Sequence, residues 1–358
     1  MKRMITRALA AALAFLLLMA STACDVSSSN KLIGVCMPMK SVDRWLLDGD
    51  NIRKQLEAKG YKVMLEYADN DPGKQIEQIE NMINSKCAAL MIAASDCYCL
   101  DEVLEKAAKN KVKVIAYDRL IMDTMHVDYY CTFDNFEVGE VQAQYIVDAF
   151  TLHEDVPPIH MELFSGAFDD SCSPENYNGQ MSILREHLDS GKILVKSGQT
   201  DLESTAIADW STDNAKARMA SLLAAYYSDG TKLDLVLSTN DSMALGIIAA
   251  LKEAGYGTAD KPFPVITGMD CDVENVIAII NGEQSMSLFI DTRALSTRAV
   301  ELVDDILMNK QPKINDTTRY FNGAKTVPTS ICKSIYVDID NYKDVLVRGG
   351  YYKEEDLR

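Results

Sequence analysis

Short apolar runs alternate with amphipathic helical stretches along almost the whole chain after residue 30. The apolar runs predict strands at 32–37, 61–67, 88–94, 112–117, 160–164, 193–198, 233–238 and 264–267. The amphipathic stretches predict helices at 45–59, 72–85, 100–109, 136–150, 179–188, 212–227, 242–254, 273–281 and 292–308. Strands that alternate with helices form parallel sheets covered on both faces. Because the series occurs twice in succession, we predict an α/β protein with two doubly wound, Rossmann-like lobes.

The composition supports two domains and restricts the class of ligand. The chain has 358 residues, of which 47% are apolar, so it is long enough to build two cores. Its formal charge of −17 disfavours nucleic acid and anionic lipid headgroups as partners and suits a neutral or cationic small molecule. After the first 24 residues no apolar run approaches the roughly 20 residues of a membrane-spanning helix.

The first 24 residues have the organisation of an export signal. Three basic residues within the first seven positions are followed by an apolar run at 8–20 and small residues up to position 23. This order predicts a signal peptide at 1–23. The next residue resembles the cysteine of a bacterial lipoprotein box, so we expect lipidation of Cys24 and a tether at 24–30. The alternative is simple cleavage after position 23. Either outcome predicts an exported protein, which is periplasmic or is held at the outer face of the cytoplasmic membrane by its lipid alone.

Nine cysteines are spread along the chain, and eight of them follow Cys24. Several of these lie in apolar strand-like runs, where a free cysteine behaves as a small buried hydrophobe. Cys97 and Cys99 lack both the CxxC spacing and the second ligand pair of a metal site. The four histidines show no metal-ligand spacing, and no phosphate-binding or dinucleotide-binding motif occurs. We therefore predict free thiols, no bound metal and no cofactor.

Polar side chains follow many of the predicted strands. In open parallel sheets, ligands bind beyond the carboxyl ends of the strands, so these positions form a candidate site. They are Arg44, Asp118, Arg119, Asp134, Asn135, Asn240, Asp241 and Asp270. The adjacent Asp118 and Arg119 can accept from and donate to one neutral hydroxyl group. The alternatives are a strand-end salt bridge for this pair and helix or turn caps at Asp241 and Asp270.

The two tryptophans of the chain, Trp45 and Trp210, are further candidates. An indole ring has a flat apolar face that can pack on the C–H face of a sugar ring. Core packing is the commoner use of tryptophan and stays open as the alternative. The neighbouring Arg44 favours the binding interpretation for Trp45.

Several segments of the chain resemble one family of proteins. They are 43–45 (Asp-Arg-Trp), 78–83 (Gln-Ile-Glu-Asn-Met-Ile), 116–120 (Ala-Tyr-Asp-Arg-Leu), 132–135 (Thr-Phe-Asp-Asn), 268–270 (Gly-Met-Asp) and the tail at 349–354. They resemble the periplasmic monosaccharide-binding proteins of bacterial ABC transporters, in the branch of xylose-binding and multiple-sugar-binding proteins. The resemblance covers almost the whole chain after the signal. It implies a type I fold, in which two lobes joined by three hinge crossings close over a sugar.

On this interpretation, we expect one lobe at 31–133 plus 291–330 and the other at 134–290 plus 331–358. The expected partners are a monosaccharide and the membrane permease of an ABC transporter, with a sensor kinase as the alternative protein partner. The protein itself is expected to be a monomer.

The resemblance also implies the site residues. In the family, sugar hydroxyls are contacted at the positions of Arg44, Asp118, Arg119, Asn240 and Asp270, and a tryptophan tends to stack at the position of Trp210. With Trp45 and Asn135, these residues make up the predicted ligand-binding site. The chain departs from the family at Ser171-Cys172, often an asparagine pair, and at Ile290, often a lysine. Both departures remove polar contacts, so the resemblance does not identify the sugar.

Three functions fit these features. The first is a transport receptor that delivers an aldopentose or aldohexose to a permease. The second is a sensor whose closed, sugar-loaded form docks on a sensor kinase or chemoreceptor. The third is an exported sugar-processing enzyme with Asp118 and Asp270 as a catalytic carboxylate pair. Because Arg119 should hold Asp118 ionised as an acceptor, the sequence favours binding without catalysis.

Overall fold

The computed structural model describes residues 31–358, so the predicted signal peptide, Cys24 and the tether lie outside the described residues. The strands are β1 (Leu32–Met37), β2 (Lys62–Tyr67), β3 (Ala89–Ile92), β4 (Lys113–Tyr117), β5 (Tyr129–Phe133), β6 (Ile159–Phe164), β7 (Ile193–Leu194), β8 (Leu235–Ser238), β9 (Val265–Ile266), β10 (Met286–Phe289), β11 (Thr329–Cys332) and β12 (Ile335–Asp338). The α-helices are α1 (Asp43–Ala58), α2 (Pro72–Asn84), α3 (Asp101–Lys109), α4 (Asn135–Ala149), α5 (Cys172–Asp189), α6 (Leu202–Thr205), α7 (Thr212–Tyr226), α8 (Asp241–Glu253), α9 (Val273–Ile280) and α10 (Thr292–Leu307).

Two parallel sheets form the framework. The first has six strands in the order β11-β5-β4-β3-β1-β2, and the second has four strands in the order β7-β6-β8-β9. Neighbouring strands are parallel throughout both sheets. The antiparallel pair of β10 and β12 adjoins the second sheet through a single bridge between Met269 and Leu288. The prediction of an α/β fold with two doubly wound parallel sheets is confirmed.

The chain passes between the two halves of the molecule three times. The connections run from β5 to α4, from β10 to α10 and from β11 to β12. After the second connection, α10 packs on α1 and against β5 and β11 of the six-stranded sheet. Residues that are far apart in sequence therefore complete the first half of the fold.

Helices α4 and α5 pack closely because each carries a glycine at their contact. A Cβ atom on Gly139 would lie 2.1 Å from a backbone oxygen of α5, and a Cβ atom on Gly179 would lie 2.1 Å from a backbone oxygen of α4. Any larger residue at either position would push the two backbones apart. This contact places the first residues of the two helices, Asn135 and Cys172, side by side.

The apolar pattern of the sequence accounts for the core. The central strands β1 and β3 are buried along almost their full length, as near-continuous apolar runs require. Helix α2 buries Ile79, Met82 and Ile83 on one face. The eight cysteines between residues 31 and 358 are unpaired in this structure, and six of them are buried. Over the same range, no helix has the length and apolar character needed to cross a membrane.

The structure differs from the predicted elements at several places. The sequence pattern missed β5, β10, β11 and β12, and the strand predicted at 193–198 is only the two-residue β7. Helix α5 begins at Cys172 and not at the predicted position 179. The prediction began too late because the polar first turns of this helix show no apolar periodicity. The proline at position 174 is compatible with this start, since the first turn of a helix needs no intrahelical N–H bond.

Candidate ligand-binding site

A small cavity lies between the strand ends of the two halves. All eight residues predicted to bind a ligand line this cavity: Arg44, Trp45, Asp118, Arg119, Asn135, Trp210, Asn240 and Asp270. The structure thus brings the predicted residues together, and their contact with a ligand stays a prediction.

Arg44 connects carboxylates from both halves of the molecule. It is the second residue of α1 and is buried. One terminal nitrogen forms an ion pair with Asp118 Oδ1 at the end of β4, and the other lies 3.5 Å from Asp270 Oδ1 beyond β9. The Arg44 Nε lies 3.4 Å from Asp48 Oδ2, one turn further along α1. A single guanidinium therefore serves three carboxylates.

The backbone at the end of β4 directs Asp118 away from the strand. Asp118 has a φ of 64°, a left-handed conformation that aspartate tolerates better than most residues. Its N–H donates to the Cys131 carbonyl at 2.7 Å. Its carbonyl accepts from the Tyr130 hydroxyl at 2.5 Å and from Thr132 Oγ1 at 3.0 Å. These bonds to β5, a strand missed in the sequence, hold the acid in place.

Arg119 pairs with an acid from the opposite half. Its Nε lies 2.7 Å from Asp170 Oδ2, and a terminal nitrogen donates to the Ala94 carbonyl at 2.9 Å. Asp170 also accepts from Trp210 Nε1 at 3.1 Å. The strand-end salt bridge between Asp118 and Arg119, left open by the sequence, does not form, because Arg119 pairs with Asp170 and Asp118 with Arg44. The left-handed turn separates the two side chains, so that Arg44, rather than Arg119, contacts Asp118.

The positions of both tryptophan rings are fixed by their neighbours in the cavity wall. The ring of Trp45 lies 4.7 Å from the guanidinium carbon of Arg44 and 5.3 Å from that of Arg119. These cation–π contacts fix the ring beside the charged groups of the cavity. Trp210 has a left-handed φ of 54°, and its ring fits against Gly166, where a Cβ atom would lie 2.2 Å from the indole. Glycine at 166 is thus required by the position of this ring.

The two predicted asparagines act differently. Asn135 begins α4, and its Nδ2 lies 3.2 Å from Cys172 Sγ and 3.4 Å from Thr132 Oγ1. Asn240 is the N-cap of α8, because its Oδ1 accepts from the Met243 N–H at 3.1 Å. This bond occupies the oxygen and leaves the Nδ2 of Asn240 as its donor for a ligand.

Asp241 is not the helix cap that the sequence left open as an alternative. Its buried carboxylate accepts from Gln284 Nε2 at 2.9 Å, from Ser287 Oγ at 2.9 Å and from the Asp272 N–H at 3.0 Å. These bonds fix the turn that carries Asp270. Burial nevertheless raises the pKa of Asp241 well above its ordinary value. Asp241 therefore stabilises the turn that carries Asp270 and does not itself line the cavity.

Seven further residues line the cavity: Met39, Val42, Phe133, Asp170, Cys172, Met269 and Ile290. Asp170 lies several residues beyond the end of β6, so the rule that ligands bind directly after strand ends did not identify it. Cys172 and Ile290, noted above as departures from the family pattern, do lie in the wall. The other apolar lining residues carry no signal that distinguishes them from core residues.

The chemistry of the cavity is that of hydrogen bonding with an excess of acid. Burial raises the pKa of Asp270 even though Arg44 favours its charged form. Burial also raises the pKa of Asp48 to about 7. Within the part of the chain that the structure describes, no three His, Cys, Asp or Glu side chains are placed to hold a metal ion. The site offers hydrogen-bond donors and acceptors to a small polar molecule, and two largely buried indole rings form part of its wall.

Comparison with known proteins places these features in a family. A family model described as a periplasmic binding protein domain matches residues 33–311. The chain is 45% identical over 326 residues to the multiple sugar-binding periplasmic receptor ChvE of Rhizobium radiobacter, covering 91% of this chain and 92% of the relative. It is 33% identical over 325 residues to the D-xylose-binding periplasmic protein of Escherichia coli (strain K12), covering 91% of this chain and 92% of that relative.

A solved structure agrees with this result. An ABC transporter solute binding protein from Clostridium phytofermentans, with bound β-D-glucose, matches with a TM-score of 0.89 and 44% identity, covering 92% of this chain and 100% of that chain. These relatives are binding proteins and not enzymes, so the sugar-processing enzyme weighed above is excluded.

Proposed function

Because the chain belongs to the family of periplasmic binding protein domains, we propose that it captures one monosaccharide between two lobes and delivers it to the permease of an ABC transporter. The observation that carries this proposal is a single cavity lined from both sheets by charged hydrogen-bonding groups and two indole rings. The proposed lobes are 31–133 plus 291–330 and 134–290 plus 331–358. The proposed receptor acts outside the cytoplasm as a monomer.

The ion pairs across the cavity support a closed state that differs from an open one. Arg44 and Asp270 lie 3.5 Å apart, and Arg119 and Asp170 lie 2.7 Å apart, and each pair joins the two proposed lobes. These charges are buried together only while the lobes are together. A sugar that touches both lobes therefore shifts the population toward closure.

The polar groups suit the hydroxyls of a neutral sugar. Each hydroxyl can donate to a carboxylate and accept from a guanidinium or an amide at once. Trp45 and Trp210 offer apolar faces to the C–H groups of the sugar ring. Cys172 and Ile290 add weakly polar and apolar wall to the same cavity. We propose an aldopentose or an aldohexose as the ligand.

Calorimetry on the protein without its signal peptide tests this function. We expect saturable binding of one sugar from a panel of D-xylose, L-arabinose, D-glucose and D-galactose. Small-angle scattering should show a smaller radius of gyration with that sugar. Absence of binding across the panel, or chemical conversion of a sugar, would contradict the proposal.

Anchoring at Cys24 belongs to the same proposal. A receptor held by lipid next to its permease meets it at a high effective concentration. Mass spectrometry of the membrane fraction should find a lipid-modified chain that begins at Cys24, and Cys24→Ser should release the protein with unchanged sugar affinity. An unmodified chain in the soluble fraction would contradict the anchor alone.

A further inference from the structure

Asp48 is a buried acid behind the cavity that the proposed sugar contacts do not use. It lies one turn after Arg44 on α1, and its side chain is completely buried. Its carboxylate faces the Tyr117 hydroxyl and Arg44 Nε, which both favour its charged form, but neither contact has good hydrogen-bond geometry. Buried polar groups are nearly always hydrogen-bonded, so this cluster requires an explanation.

The charge balance of the cluster points to an additional proton. Arg44 is shared by three carboxylates, which are those of Asp48, Asp118 and Asp270. The other guanidinium is occupied, because Arg119 pairs with Asp170. The cluster around Arg44 therefore has an excess of negative charge, and a neutral sugar brings no counter-charge. A buried carboxylate without compensation takes up a proton instead of staying charged.

Burial raises the pKa of two acids in this cluster, Asp48 and Asp270, and Asp48 is the one that the proposed sugar contacts do not use. The titratable groups that act on it are Arg44 on α1, Tyr67 on β2, Tyr117 and Asp118 at the end of β4, and Tyr351 near the C-terminus. Arg44 is the single cation in this set. Burial raises the pKa of Asp48 to about 7, against the opposing effect of Arg44. The Tyr117 hydroxyl also favours the charged form of Asp48, so the rise in pKa means that burial outweighs both partners.

We propose that Asp48 is a positioning residue that holds Arg44 and takes up one proton from solvent when the lobes close on a sugar. In the open form Asp270 is withdrawn from Arg44, and water reaches the cavity. Closure returns Asp270 to Arg44 and excludes this water, so the charged form of Asp48 becomes less favourable. Sugar binding then consumes a proton. This inference rests on the proposed function of sugar capture.

The direction of the pH dependence follows from this step. A carboxyl group whose pKa is higher in the closed form than in the open form takes up a proton on binding. Sugar affinity is therefore highest at acidic pH and falls as the pH rises toward the closed-form pKa of about 7. The fall is at most about tenfold per pH unit for one proton, and affinity is constant above that range.

Calorimetry from about pH 5.5 to about pH 8.5 tests the inference, with D-glucose and D-xylose as probes. Titrations in two buffers of different ionisation enthalpy give the number of protons taken up. The wild-type protein should take up a proton below neutral pH and bind more weakly as the pH rises. Asp48→Asn, which is neutral at every pH, should bind with an affinity that does not depend on pH and without proton uptake. Asp50→Asn, on the solvent side of the same helix, is the matched control and should behave as wild type.

The outcomes separate this inference from the function on which it rests. Sugar binding with no pH dependence and no proton uptake in the wild-type protein would overturn the proton step and leave sugar capture intact. Proton uptake that persists in Asp48→Asn would assign the proton to another carboxyl group and also overturn it. Failure of every sugar in the panel to bind would overturn both. The wild-type measurement in two buffers decides the question even if the variant does not fold.

Discussion

The two sides of the cavity carry charge in different ways. The first side, on the six-stranded sheet, has two guanidiniums and two carboxylates: Arg44, Arg119, Asp48 and Asp118. The second side contributes Asp170 and Asp270 to the cavity lining, and no cation among its described lining residues. The first side can thus neutralise its own charges, whereas the acids of the second side find their counter-charges across the cavity. Closure, and not the folding of the second lobe, brings these acids next to a guanidinium.

The largest effect should follow from removing the cation that both sides share. Arg44→Met leaves Asp48, Asp118 and Asp270 without their common partner. Breaking a buried ion pair from one side costs about 3–5 kcal/mol, so we expect sugar affinity to fall by more than about a hundredfold. Calorimetry measures the loss, and circular dichroism checks that the variant folds. Arg53→Met, partly exposed on the same helix, is the control and should bind normally. Sugar affinity unchanged in Arg44→Met would show that the two sides do not depend on Arg44 as a shared cation.

A pair of matched substitutions tests whether the two sides differ before a sugar binds. Asp118→Asn and Asp270→Asn should each weaken binding by about one to two decades, because a charged hydrogen bond contributes about 1.5–3 kcal/mol. The ligand-free proteins should differ, since Asp118 has its partner within the first lobe and Asp270 has its partner across the cavity. We expect Asp118→Asn to lower the melting temperature by about 2–4 °C and Asp270→Asn to leave it unchanged.

Calorimetry and thermal unfolding without sugar measure both quantities. A drop in melting temperature of the same size in both variants would mean that the acid of the second side is already compensated in the ligand-free state. The proposed difference in charge compensation between the two sides would then be wrong, whereas the assignment of Asp118 and Asp270 to the sugar site would be unaffected.

The same difference explains what could be predicted from the sequence. Asp118 and Arg119 follow a strong apolar run directly, so the rule that ligands bind beyond strand ends identifies them. Asp170 comes after β6 and a longer loop, and its ion pair with Arg119 depends on how the halves meet. Local sequence carries no information about that contact. The fold class was accessible because it requires only the alternation of apolar runs and helices.

The missed strands have a related cause. β11 pairs with β5, and β12 pairs with β10, so each depends on a partner distant in sequence. Each of these strands has only four or five residues, which is too short for a clear periodic pattern. The roles of Asn240 and Asp241 also depend on contacts with residues distant in sequence. Both residue types cap helices well, and only the bonds from Gln284 and Ser287 draw Asp241 into the interior.

The smallest effect should arise at the rim of the cavity, where the two sides meet in solvent. The Nδ2 of Asn70, in the loop after β2, donates to Asp209 Oδ1 in the segment that carries Trp210. Both partners have left-handed backbones, with φ values of 57° and 59°. Asn70→Gly keeps this conformation accessible and removes the amide. Because the bond is solvent-exposed, its loss should cost about 0.5–1 kcal/mol and weaken sugar binding by roughly two- to fivefold.

The kinetics of release distinguish this contact from those in the cavity. A bond made only in the closed form slows opening, so Asn70→Gly should raise the rate of sugar dissociation and leave the association rate nearly unchanged. Stopped-flow measurement of intrinsic tryptophan fluorescence follows both rates, since Trp45 and Trp210 line the cavity. Asn84→Ala, exposed at the end of α2, is the control. An unchanged dissociation rate in Asn70→Gly would mean that the rim contact follows closure without stabilising it, and that the buried ion pairs alone hold the two sides together.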